Sequence, residues 1–72
     1  MTKDFHSDAI RLNLTIICTH LDRAARLVDE ALGYMQGGNK GAAIGTLIEL
    51  PDKLEAAHAL YGAIIAIHRN SQ

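Results

Sequence analysis

The chain has 72 residues, 49% of them hydrophobic but only 4% aromatic, and a formal charge of −1. A domain of this length buries only about 60% of the surface its unfolded form exposes, which puts it at the margin of folding alone. Seven Lys and Arg scattered along the chain give no field to attract a phosphate backbone, which argues against nucleic acid, and a single cysteine, Cys18, excludes an internal disulfide and a Cys-rich zinc knuckle.

The lead-in to His6 is polar, with Phe5 the residue expected to pack and Ser7 or Asp4 placed to cap the first helix. It lacks a basic lead followed by an apolar run. The charge-free run Ala56–Ile67 is shorter than the about 20 residues a bilayer crossing needs. The expectation is a cytoplasmic protein without a membrane segment.

From Ser7 the apolar residues Ile10, Leu14, Ile17, Leu21, Ala24, Val28, Ala31 and Met35 recur at steps of four and three, which keeps them on one side of an α-helix running to about residue 36. Cys18, Ala25 and Leu32 flank that stripe, and Phe5, Ala9, Leu12, Ile16, Leu27 and Tyr34 form a further apolar side. An ordinary surface helix buries a stripe little more than about 100° wide. This helix asks for about twice that, so one partner helix does not satisfy it.

Gly37, Gly38, Asn39 and Gly41 stop the first helix. A second is predicted over 40–50, with Ile44, Leu47 and Ile48 on its apolar side. Pro51 lacks a backbone N–H and disfavours a helical residue before it, so a third helix is predicted to open there and run over 51–69. Leu54, Ala57, His58, Tyr61, Ile64, Ile65 and His68 make one stripe on it; Ala56, Leu60, Ala63 and Ile67 make another, with the small Ala59, Gly62 and Ala66 between. A helix that is apolar or small nearly all round is normally buried. A chain of this length cannot surround it, so self-association is expected, most commonly as a two-fold dimer.

The predicted fold is therefore all-α: one domain over 1–72, a helical hairpin of one long helix packed on two shorter ones, completed as a bundle by homo-oligomerisation. Leu14, Ile17, Leu21, Val28, Leu54, Tyr61, Ile64 and Ile65 are its expected core. Leu12, Ile16, Leu27, Tyr34, Leu60 and Ile67 are its expected interface.

Chemistry-bearing patterns are sparse. His6, Asn13, His20, Leu27 and Tyr34 recur every seven residues and descend the first helix in one line, either meeting water at a rim or forming a polar layer at a subunit junction. With Lys40, His58, Tyr61 and His68, the Asn13 and His20 groups make a candidate polar pocket. Glu55 and His58 have the Glu-x-x-His spacing that helical bundles use for paired metals, a weak metal candidate beside the ordinary reading of a helix-terminal acid and an interfacial histidine. The Gly37–Gly41 stretch lacks the ending of a P-loop and follows no strand, and no hydroxyl or thiol has an activating context. The sequence thus reads as a non-catalytic regulatory, adaptor or inhibitor protein, without a cofactor, that binds a macromolecular partner through apolar helix faces. The alternative is a helical oligomer with a nucleotide-type anion or metal site at its subunit junctions.

Overall fold

The computed structural model describes residues 5–70. Helix α1 spans Phe5–Gln36, α2 spans Lys40–Thr46, and after a 3₁₀ turn at Leu47–Glu49 helix α3 spans Leu50–Asn70. The second arm, from α2 through α3, runs back along α1 to make an all-α hairpin. Helix α1 is already under way at Phe5, so Ser7 lies inside the first turn instead of capping it, and Asp4 lies outside the described residues. Thr15 and Thr19 fit within α1 because each hydroxyl donates to the carbonyl one turn back, Arg11 at 3.0 Å and Thr15 at 3.2 Å.

The reversal is built on Gly38 and Asn39. Gly38 takes φ of 79° and donates its N–H to the Met35 carbonyl at 3.0 Å, while the Asn39 N–H reaches the Tyr34 carbonyl at 2.8 Å; together these satisfy the end of α1 in the left-handed closing motif that favours glycine. The Asn39 side-chain oxygen then accepts from the Ala42 N–H at 3.1 Å and caps α2. A Gly38→Ala chain is expected to lose about 1–2 kcal/mol from the left-handed backbone alone. Gly33, inside α1 with nothing within 4 Å of an added methyl, should instead gain about 0.5–1 kcal/mol as alanine. Thermal melts of the two variants should shift in opposite directions.

Pro51 acts one turn earlier than the sequence suggests. In an α-helix the carbonyl of Leu47 would accept from residue 51, which has no N–H to give. The Leu50 N–H bonds that carbonyl instead, tightening the backbone to 3₁₀ over Leu47–Glu49, so α2 stops at Thr46 and α3 starts at Leu50. Thr46, Leu47 and Leu50 all keep right-handed helical dihedrals, and the arm is tightened but not broken.

Helices α1 and α3 meet along a seam with a strict three-and-four rhythm. On α1 the more protected positions are Ile10, Asn13, Ile17, His20, Ala24, Leu27 and Ala31, with Ala9 beside them; on α3 they are Leu50, Lys53, Ala57, Leu60, Ile64 and Ile67, with Ala56 and Ile65 beside them. This is the spacing of a coiled-coil contact. Among the described residues, burial is confined to Ala24, Leu27, Ala31, Ala43 and Ala57. Four alanines let the helices approach closely but bury little apolar area, and Leu27 alone contributes a large side chain.

Much of the expected core therefore lies outside it. Leu14, Leu21, Val28, Leu54 and Tyr61 are exposed, and Ile17, Ile64 and Ile65 are half-buried. The reason is one of phase, because the predicted stripe straddled the seam and the residues next to it. The molecule measures 59 × 19 × 12 Å, and 12 Å is the thickness of a single helix with its side chains. Its radius of gyration of 16.9 Å exceeds the about 11 Å of a compact domain of this length. The hairpin is one layer deep.

Candidate functional site

The seam divides the hairpin into two flanks that differ in chemistry. Arg23 and Glu49 pair at 3.3 Å, and each sits directly before a seam residue, Ala24 and Leu50. In antiparallel helices a step back along either chain turns toward the same side. The residues before the seam positions therefore share this first flank, and those after them share the second.

On the first flank α1 contributes Ala9, Leu12, Ile16, Thr19, Arg23, Arg26 and Glu30, and α3 contributes Asp52, Ala56, Ala59, Ala63 and Ala66, preceded by Glu49. This is a mixed surface: charged toward the turn, apolar near Leu12 and Ile16, with Phe5 beyond them at the open end. The Arg23–Glu49 pair is solvated on both sides, so it marks geometry more than it stabilises.

The second flank is mainly apolar. Adding one to the α1 seam positions gives Arg11, Leu14, Cys18, Leu21, Ala25, Val28 and Leu32, extended by Met35, a second three-and-four series in which the seven members from Leu14 on carry no charge. All seven are exposed, from 47% for Val28 to 55% for Leu32 among the large side chains. The matching α3 residues are Pro51, Leu54, His58, Tyr61, Ile65 and His68. The His58 and Tyr61 rings stand edge to face, with centroids 6.4 Å apart. Two shallow hollows mark the arms, one lined by Leu54, Glu55, His58 and Ala59, the other by Ser7, Ile10, Arg11 and Leu14.

The residues singled out in the sequence fall into separate places. Leu27, expected at an interface between chains, is 3% exposed in the hairpin's own seam; Leu60 and Ile67 are half-buried in the same seam. They are structural because the second arm of the same chain already covers them. Leu12, Ile16 and Tyr34 are exposed. Asn13 and His20 are half-buried in the seam, and the Asn13 amide donates to its own helix at the Ala9 carbonyl, 2.8 Å away. No buried side-chain polar atom among the described residues lacks a partner.

The candidate polar pocket does not assemble within one chain. Lys40 opens α2 beside the turn and His68 lies near the far end of α3, separated by the about 30 Å length of that helix. His58 and Tyr61 are together; Asn13 and His20 sit in the seam, away from both ends. Glu55 and His58 share a hollow, but no group of three or more potential ligands occurs among the described residues. Nor is any described helix long and apolar enough to cross a membrane.

In comparisons with known proteins, no family model, curated protein or solved structure matches this chain. Its functional reading rests on the two flanks. The second was missed as a unit in the sequence because its members were counted with the core. The signal that could have found it is the exact offset of one residue from a seam carrying Asn13 and His20.

Proposed function

We propose that the protein is a small non-catalytic binding protein, of the regulatory, adaptor or inhibitor kind, that associates with itself and recognises a macromolecular partner through apolar helix faces. The observation carrying this reading is that large side chains at Leu12, Leu14, Leu21, Val28, Leu32 and Tyr61 are all exposed on a hairpin whose own core is four alanines and a leucine. Burying one such side chain contributes about 1.5–3 kcal/mol, and contiguous apolar surface of this kind marks sites of association. Two unlike flanks give the protein two places to bind. The mainly apolar second flank suits a like surface, and Leu12 and Ile16 on the first offer an anchor for a different protein.

Affinity capture from the native host, read by mass spectrometry, tests the partner. A protein recovered stoichiometrically by the parent and lost with Leu12→Glu and Ile16→Glu is the expected result. Recovery of the same proteins by parent and variant, or of none by either, overturns the reading.

A further inference from the structure

Resting on that reading, we propose that the occupant of the second flank is a second copy of this chain, joined about a two-fold axis so that two hairpins close into a four-helix bundle. A folded domain normally needs two packed layers around its core, and this hairpin supplies one, 12 Å thick. The open side of the layer is where the missing core would lie.

The dimensions suit a copy of the same chain. From Leu14 to Met35 the apolar series runs about 31 Å along α1, and the hairpin is 19 Å wide. That gives about 600 Å² of projected surface per copy, or about 1,200 Å² for a pair, above the ~1,000 Å² that a specific interface needs. The rhythm fits as well, because the second series repeats the spacing with which α1 and α3 already pack, and helices so spaced interlock on further helices of the same kind.

Charge points the same way. A two-fold contact sets a patch against itself, so charges of one sign clustered on it would repel. Between Leu14 and Met35 this series carries none, with Arg11 just beyond its open end and His58 beside it on α3, whereas the first flank carries Arg23, Arg26, Glu30 and Glu49 within the same length. Pairing through the second flank covers Cys18, Leu21 and Val28 and leaves the Arg23–Glu49 side in water.

Sedimentation equilibrium from low micromolar to several hundred micromolar, with the thiol reactivity of Cys18 followed over the same range, tests the pairing. The expected mass is twice the 7.8 kDa of one chain. Cys18, exposed in a single hairpin, should react at least about tenfold more slowly in the paired state than in denatured chain, the rate recovering on dilution. Leu21→Glu with Val28→Glu should give single-chain mass, and Leu12→Glu with Ile16→Glu should still pair.

The thiol measurement on the parent keeps the test valid if the first variant does not fold. A folded parent of single-chain mass throughout overturns the proposal, as does a paired species whose Cys18 reacts at the denatured rate. If such a single chain still captures a partner that Leu12→Glu and Ile16→Glu lose, self-pairing falls and the binding reading stands. If it captures nothing, both fall.

Discussion

Replacing Leu27 with alanine is expected to cost about 2–5 kcal/mol, enough to leave most molecules unfolded at 25 °C, since a domain of this size holds only about 3–5 kcal/mol in its core. Among the described residues Leu27 is the sole large side chain that is buried, at 3% exposure. Its neighbours in the seam, Ala24 and Ala31, are too short to collapse into the space it leaves. Urea titration followed by helical circular dichroism should show the midpoint falling far below that of Leu12→Ala, which truncates a side chain 61% exposed. Equal midpoints for the two variants would show that the seam through Leu27 does not hold the hairpin.

Enlarging Ala43 should do comparable damage by the opposite route. Ala43 is the most deeply buried residue described, at 2% exposure, and it lies in α2, which packs against α1 just beyond the turn. Leucine there has no space to enter and must push the two elements apart, at a cost of about 1–3 kcal/mol. Because α2 is short and held at its start by Asn39, the strain should separate α2 before it unfolds α3. Amide hydrogen exchange should therefore speed up over residues 42–46 first. Ile44→Leu, at an exposed neighbour, should leave exchange unchanged, and equal protection in both variants would remove the close α1–α2 contact from this account.

Helix content, the turn and the surplus of apolar surface were legible in the sequence, because each depends on local pattern: a three-and-four rhythm, a Gly-Gly-Asn stop and a proline. The phase of the seam was not. On α1 two such series run one residue apart, and hydrophobic weight favours Leu14, Leu21 and Val28 over a seam containing Asn13, His20, two alanines and one leucine at Ala24, Ala31 and Leu27. Close approach decides otherwise, since the small side chains of Ala24, Ala31 and Ala57 let one helix lie against another. The polar line through Asn13 and His20 runs along the seam for a related reason. Asn13 satisfies its amide on its own helix, so it tolerates partial cover without a polar partner across the seam. For the candidate pocket, residue types alone carried no distance, and the hairpin puts Lys40 and His68 near opposite ends.

The doubling of Asn39 as the last residue of one closing motif and the cap of the next helix has a kinetic consequence. With α1 ending at Gln36 and α2 beginning at Lys40, the chain reverses over so few residues that loop-closure entropy is small. Zipping outward from such a bend proceeds on the order of microseconds, ahead of any collision between molecules at cellular dilution. Every newly made chain would then complete its own fold while still alone, and its concentration, not its folding rate, would govern how long the oily side waits for cover.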